Sequence, residues 1–124
     1  MAKILVIEDD KVVAASLATF LRKDGHAVET VHDGIQGLAR IAADSPDVVV
    51  TDVFMPEMDG LEAIRALRLE RPDLPIIAIS GGGSISSTDV LRMAHALGAK
   101  EILSKPILAE QLRNAVKRCL GIEP

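Results

Sequence analysis

Five short apolar runs alternate with longer stretches of helical periodicity along this chain of 124 residues. The runs are rich in β-branched residues, whereas the stretches between them place apolar residues three and four positions apart, as one face of a helix does. This alternation predicts βαβ units and therefore an α/β fold built on a parallel sheet. The predicted strands are Lys3 to Ile7, His26 to Val31, Val48 to Thr51, Ile76 to Ile79 and Lys100 to Ser104.

Two of the runs indicate where their strands lie in the sheet. Val48-Val49-Val50 is unbroken, which is typical of a parallel strand buried on both faces and predicts a central position. His26 to Val31 alternates apolar and polar residues, as expected of an edge strand. A helix is predicted after every strand, and glycines end three of these helices, at Gly25, Gly98 and Gly121.

Length and composition favour one globular domain over residues 1–124. A chain of this size buries about two-thirds of its unfolded surface in one core, and 48% of the residues are hydrophobic. No apolar run approaches the roughly 20 residues of a membrane span, and the one cysteine suits a reducing compartment. We therefore expect a cytoplasmic protein that does not enter membranes. A net charge of −4 and the absence of Trp and Tyr argue against nucleic-acid binding.

Four of the runs end on side chains that can bind a metal ion or phosphate. They are Glu8 and Asp9 after the first strand, Asp52 after the third, Ser80 after the fourth and Lys105 after the fifth. Because the carboxyl ends of parallel strands share one edge of a sheet, we expect these side chains to meet there. Three adjacent carboxylates repel one another and favour a divalent cation such as Mg²⁺, which prefers oxygen ligands. With an ammonium group beside them, the set suits phosphoryl transfer.

Several short motifs make the chain resemble the receiver domain of two-component response regulators over essentially its whole length. The resemblance depends on their order and spacing, and the motifs are Ile7-Glu8-Asp9-Asp10, Asp52 with Met55-Pro56 and Met58-Asp59-Gly60, Ile79-Ser80, Gly98-Ala99 and Lys105-Pro106. It implies a single flavodoxin-like domain of five βα units, with five parallel strands in the order 2-1-3-4-5 and helices on both faces. It also implies a phosphorylation-dependent signalling switch, not a turnover enzyme.

The resemblance implies a role for each residue at that edge. Asp52 would be the phosphoacceptor, taking a phosphoryl group from a phosphohistidine on a histidine kinase or histidine phosphotransfer protein. Lys105, followed by a cis bond to Pro106, would contact the phosphoryl group, and Ser80 would turn inward to hydrogen-bond it. Mg²⁺ would be held by oxygen donors, namely those of Asp9, Asp52, Glu8 largely through water, and the backbone carbonyl of Phe54.

The expected output of the switch is a change at the protein surface. Phosphorylation would shift a two-state surface around the fourth predicted helix, the fifth strand and the last helix, which would then bind an unidentified downstream protein. We interpret the chain as a stand-alone receiver without an attached output domain. Ile102 stands where many receivers carry Tyr or Phe, and Ile107 where Phe is common. The resemblance also implies that Phe54 and Gly82 flank the path of the water that hydrolyses the acyl phosphate on Asp52. A large apolar side chain would exclude this water and glycine would admit it, so the lifetime of the phosphorylated state stays open.

Other interpretations of the same residues stay open. Asp52 and the acids Glu8 to Asp10 could simply cap or begin the segments that follow them, and Ser80 could belong to a turn. Gly81-Gly82-Gly83 lacks the following Gly-Lys-Ser/Thr of a phosphate-binding loop and is interpreted as a flexible segment. Cys119 continues an apolar helical stripe and is expected to be buried and inert. For the whole protein, the alternatives are a flavodoxin-like cofactor-binding module, an Mg²⁺-dependent phosphatase and a receiver fold that no longer takes phosphate.

Overall fold

The computed structural model describes residues 2–52, 60–80 and 98–122, and all five predicted strands lie in them. The strands are β1 (Lys3–Ile7), β2 (Ala27–Val31), β3 (Val48–Asp52), β4 (Ile76–Ser80) and β5 (Glu101–Ser104). They form one sheet in the order β2-β1-β3-β4-β5, and every neighbouring pair is parallel. The predicted α/β class and the flavodoxin-like strand order are confirmed.

Helices connect the strands in the described part of the chain. They are α1 (Lys11–Lys23), α2 (Gly34–Ala43), α3 (Gly60–Glu70) and α4 (Ala109–Cys119). The helix predicted between β4 and Gly98 lies outside the described residues, so the last helix of the chain is named α4 here. Among the described helices, none combines the length and the apolar composition needed to cross a bilayer.

Helices cover both faces of the sheet. Alternate residues of a strand point to opposite faces, so Ile4 and Val6 of β1 lie in one core cluster and Leu5 and Ile7 in the other. The first cluster is completed by buried residues of α1 and α4, which include Leu17, Leu21, Leu112 and Val116. The second is completed by α2 and α3, through Ile41 and Leu67. Each fully buried side chain of this kind stabilises the fold by about 1.5–3 kcal/mol, so the sheet is fixed between two helical layers.

The position of each strand in the sheet agrees with its hydrophobic pattern. Every residue of β3 and β4 is buried, and the run Val48-Val49-Val50 is 0% exposed, which confirms the central position predicted for it. At the edge, β2 alternates exposed and half-buried residues as far as Val31. The edge prediction for β2 is therefore confirmed as well.

The turn between α1 and β2 explains a one-residue difference from the predicted strand. β2 begins at Ala27 and not at His26, because His26 still belongs to the turn that closes the helix. Its backbone N–H donates to the Leu21 carbonyl at 3.2 Å, and its Nδ1 accepts from the backbone N–H of Ala2 at 3.1 Å. Gly25 makes this turn with a φ of +91°, a conformation that favours glycine.

α2 approaches β1 closely at Gly37. A Cβ atom added to Gly37 would collide with Cδ1 of Ile7 and would lie 3.0 Å from its Cγ1. Ile7 is only 1% exposed and has little room to move. The missing side chain thus lets the helix lie against the strand that leads directly into Glu8.

Candidate functional site

The carboxyl ends of four strands bring the predicted site residues to one edge of the sheet. Glu8 follows β1, Asp52 ends β3, Ser80 ends β4 and Lys105 follows β5. Glu8 is 0% exposed, and Asp52 and Ser80 are each 3% exposed. Burying polar groups costs free energy unless they find partners. Their concentration at one edge therefore indicates a site, and a common location for these residues was predicted from the sequence.

Three carboxylates lie close enough together to share one cation. Glu8, Asp9 and Asp52 each offer a carboxylate oxygen, and these oxygens lie within 4.8 Å of one another. Two of the side chains are buried, while Asp9 is exposed. Such a set fits Mg²⁺, because the ion prefers oxygen ligands and retains several waters, which the exposed side of the cluster can accommodate. The donor chemistry agrees with the metal predicted from the sequence.

Lys105 lies between two of these carboxylates. Its Nζ is 2.9 Å from Oε1 of Glu8 and 3.0 Å from Oδ2 of Asp52, and the bond that follows it, to Pro106, is cis. Burial by itself lowers the pKa of Lys105, but the hydrogen bonds and charges of Glu8 and Asp52 outweigh burial, so its pKa is raised. The ammonium therefore stays charged and holds the two acids together in the absence of a metal.

Glu8 is the acid whose protonation depends most on its surroundings. Burial raises its pKa from the ordinary 4.5 to about 7, against the opposing effects of Lys105 and of the Asp10 backbone N–H. That N–H donates to Oε2 of Glu8 at 3.1 Å. Because the neighbouring carboxyl groups also oppose ionisation, a cation at this position would favour the charged form of Glu8.

Asp10 has a structural role that separates it from the two acids before it. Its carboxylate accepts hydrogen bonds from the backbone N–H groups of Val12 at 2.9 Å and Val13 at 3.2 Å, so Asp10 is the N-cap of α1. Asp10 is not among the metal ligands predicted from the sequence, and whether Glu8 to Asp10 only begin the helix stayed open there. In the structure the three acids have different roles, since Asp10 caps the helix while Glu8 and Asp9 belong to the carboxylate cluster.

Ser80 is fixed at the edge through its backbone and contacts a residue that the sequence analysis did not single out. Its carbonyl accepts from the Lys105 N–H at 2.9 Å, and its Oγ lies 3.4 Å from Oγ of Ser104. Ser104 ends β5 directly beside the end of β4, because the two serines are paired in the sheet register. The sequence feature that could have indicated this contact is that β4 and β5 both end on a serine.

The remaining predicted positions are described only in part. Phe54, whose carbonyl was predicted to bind Mg²⁺, and Gly82 both lie outside the described residues. Ile102 is half-buried on β5, and Ile107 is partly buried against the core cluster formed with α1 and α4. Ile102 pairs with Ala78 of β4 in the sheet register.

The single cysteine belongs to the core and not to the site. Cys119 is 7% exposed and packs in the cluster between the sheet, α1 and α4. Burial raises the pKa of its thiol to about 11. Its predicted burial is confirmed, and the thiolate form that reacts with electrophiles is disfavoured.

Comparison with known proteins assigns the chain to a family. A family model for the response regulator receiver domain matches residues 4–117. Response regulator MprA of Mycobacterium avium is 43% identical over 111 residues, which cover 89% of this chain and 47% of MprA. The chain thus spans about half the length of the curated relatives that it matches.

Solved structures agree with this match over nearly the whole chain. A response regulator receiver domain protein from Clostridium thermocellum has a TM-score of 0.88 and 32% identity, covering 98% of this chain and 95% of its own. Chemotaxis protein CheY4 from Vibrio cholerae has a TM-score of 0.88 and 30% identity, covering 96% and 98%. These matches favour a receiver domain over the flavodoxin-like cofactor-binding module. The chain belongs to the family of response regulator receiver domains, which act in two-component signalling.

Proposed function

We propose that this receiver domain accepts a phosphoryl group on Asp52 from a phosphohistidine of a histidine kinase or histidine phosphotransfer protein. The observation that carries the proposal is the surroundings of the Asp52 carboxylate. One oxygen lies 3.0 Å from the Lys105 ammonium, and the group belongs to a carboxylate cluster with Glu8 and Asp9. A nucleophile beside a fixed cation and a set of hard oxygen ligands suits phosphoryl transfer, where positioning and charge neutralisation carry most of the catalysis.

In the proposed transfer, one carboxylate oxygen of Asp52 attacks phosphorus while the bond from phosphorus to the imidazole nitrogen of the donor breaks. That nitrogen keeps the electron pair of the broken bond, and the products are an acyl phosphate on Asp52 and a free histidine. Lys105 carries three N–H donors. It can therefore transfer one hydrogen bond from Oδ2 of Asp52 to a phosphoryl oxygen while its ion pair with Glu8 at 2.9 Å persists.

The proposed cofactor is Mg²⁺, held by oxygens of Asp9 and Asp52, by Glu8 largely through water and by the Phe54 backbone carbonyl. When bound, the ion supplies positive charge against the phosphoryl oxygens. The residues themselves supply the arrangement, since Glu8 directly follows β1 and Asp52 ends β3, and β1 and β3 are hydrogen-bonded neighbours in the sheet. The distance between the two acids is thus set by the backbone and requires no loop closure.

The proposed output is a shift in the surface around the fourth predicted helix, β5 and α4, which then binds a downstream protein. Ser80 would start this shift, because its hydroxyl lies at the same edge as Asp52 and its carbonyl is bonded to the Lys105 N–H. We further propose that residues 1–124 form one receiver domain, and the net charge of −4 supports a protein partner over nucleic acid.

The proposal is tested by labelling with acetyl phosphate and Mg²⁺, followed by intact-protein mass spectrometry. The wild-type domain should gain one phosphoryl group, Asp52→Asn should gain none, and addition of EDTA should prevent labelling. Asp73→Asn is the matched control, since Asp73 is an exposed residue in the turn before β4, and it should be labelled like the wild type. Labelling of Asp52→Asn at the wild-type stoichiometry would show that the acceptor is another residue.

A further inference from the structure

The hydroxyl groups of Ser80 and Ser104 face each other at the ends of two paired strands. Ser80 pairs with Ser104 in the register of β4 and β5, and their Oγ atoms are 3.4 Å apart. The Lys105 N–H bonds to the Ser80 carbonyl at 2.9 Å, which fixes the backbones of the two strand ends relative to one another. The contact between the hydroxyls is therefore a consequence of the sheet register and not of a flexible loop.

The two hydroxyls differ in exposure. Ser80 is 3% exposed, whereas Ser104 is exposed to solvent. A buried hydroxyl needs a hydrogen-bond partner, because leaving it without one costs free energy. Within the described residues, Ser104 is the partner of the Ser80 hydroxyl. A separation of 3.4 Å exceeds the usual 2.7–2.8 Å for two hydroxyl groups, so the contact is a weak hydrogen bond.

We propose that Ser104 is a positioning residue, which holds the Ser80 hydroxyl at the end of β5 while Asp52 is unphosphorylated and releases it when a phosphoryl group arrives. The inference rests on the proposed function of Asp52. A phosphoryl oxygen is charged and forms a shorter, stronger hydrogen bond than a second hydroxyl does. Ser104 loses little in the exchange, because its exposed hydroxyl can bond to water instead.

This role has a consequence for the balance between the two states of the switch. Removing the Ser104 hydroxyl takes away a partner that Ser80 has only in the resting state. The resting state is then less stable relative to the state with a bound phosphoryl mimic. Because the bond is weak, Ser104→Ala should raise the affinity of the domain for beryllofluoride in the presence of Mg²⁺ by about two- to fivefold.

The experiment is a double-mutant cycle on beryllofluoride affinity, measured by isothermal titration calorimetry because the chain has no Trp or Tyr to report binding. Ser104→Ala, Ser80→Ala and the double variant are compared with the wild type. The affinity gain from Ser104→Ala should be present with Ser80 and absent in the Ser80→Ala background. Ser16→Ala, an exposed serine on α1, controls for a general effect of the substitution.

A second pair of variants separates the hydroxyl from the shape of the side chain. Ser104→Thr keeps a hydroxyl, and Ser104→Val has a methyl group where threonine has its hydroxyl. The Thr and Val side chains have nearly the same volume, and both suit a strand. The Val variant should bind beryllofluoride more tightly than the Thr variant, by the same factor as Ala over the wild type. Urea unfolding of each variant verifies that it is folded under the conditions of the titration.

Three outcomes would overturn the inference. The first is an unchanged or lower affinity in Ser104→Ala, the second is an equal gain when Ser80 is absent, and the third is equal affinity of the Thr and Val variants. Each of these leaves acetyl phosphate labelling of Asp52 untouched, so the proposed function would survive. If the wild-type domain neither binds beryllofluoride nor becomes labelled, the proposed function fails and this inference fails with it.

Discussion

Replacing Lys105 with methionine should make the stability of the metal-free domain depend more strongly on pH. Lys105→Met removes the ammonium that lies 2.9 Å from Glu8 and 3.0 Å from Asp52 and keeps an unbranched side chain of similar length. The two acids are 0% and 3% exposed, so water solvates them poorly and only partly replaces the ammonium. Loss of one partner from a buried ion pair is normally costly. Here a proton can limit the cost, because burial has already raised the pKa of Glu8 to about 7.

The magnitude follows from that pKa. Folding raises the pKa of Glu8 from 4.5 to about 7, so the folded state binds the proton more tightly than the unfolded state does. The stabilising contribution of protonated Glu8 is therefore complete below pH 4.5 and is lost as the pH rises to about 7, a total loss of about 3 kcal/mol. Above that pH the loss levels off in the wild type. Without Lys105 the pKa of Glu8 lies higher still, and the loss continues by up to about 1.4 kcal/mol per pH unit.

The assay is urea unfolding in EDTA, followed by far-ultraviolet circular dichroism at several values between about pH 6 and pH 9. The difference in unfolding free energy between the wild type and Lys105→Met should widen above about pH 7. In the Glu8→Gln background, which has no titrating group at this position, the widening should disappear. A difference that is constant across this range, or one that persists with Glu8→Gln, would refute the reasoning, because Glu8 would then not be the group that takes up the proton.

Three further predictions concern the scaffold of the site. Gly37→Ala should destabilise the fold by about 1–3 kcal/mol through overpacking, and Ile7→Val, which removes the colliding Cδ1, should cost less in that background than in the wild type; urea unfolding of the four proteins measures the coupling. Cys119 should react with a thiol reagent far more slowly in the native protein than in urea, because it is 7% exposed with a pKa of about 11; an equal rate in both conditions would contradict its burial. Asp10→Ala should lower the unfolding free energy by about 1 kcal/mol and Asp10→Asn by much less, since asparagine is also a good N-cap; equal losses in chemical denaturation would rule out the capping role.

The elements of the fold were predictable because their signals are local. An uninterrupted apolar run such as Val48-Val49-Val50 indicates burial on both faces without reference to any other part of the chain, and the structure places it in the centre of the sheet. Strand order is a different kind of property, since periodicity does not say which strands are neighbours. The order 2-1-3-4-5 followed from the family resemblance and was confirmed by the structure.

The common location of the site residues at the strand ends was predictable, but the contacts of their side chains were not. Glu8, Asp52 and Lys105 lie at one edge because the carboxyl ends of parallel strands meet there, and this does not depend on the rest of the sequence. The different roles of Glu8 and Asp10 depend on the direction of their side chains at the junction of β1 and α1. The Glu8 carboxylate is buried, whereas the Asp10 carboxylate accepts a hydrogen bond from the first turn of the helix. The contact of Ser80 with Ser104 depends on the lateral register of two strands, which neither strand specifies alone.

The charges of the site explain why one ammonium is placed between two acids. Three carboxylates and one ammonium carry a net charge of −2 when all are ionised, which a divalent cation would balance. Without that cation, Lys105 and a proton on Glu8 are the means of reducing the repulsion, and the pKa of Glu8 is about 7 mainly because the side chain is buried, while Lys105 opposes this rise. With a cation bound, the acids no longer depend on Lys105, and its ammonium is available to an incoming phosphoryl group. In the proposed mechanism, Lys105 would then transfer one hydrogen bond from Oδ2 of Asp52 to the phosphoryl group and keep its ion pair with Glu8.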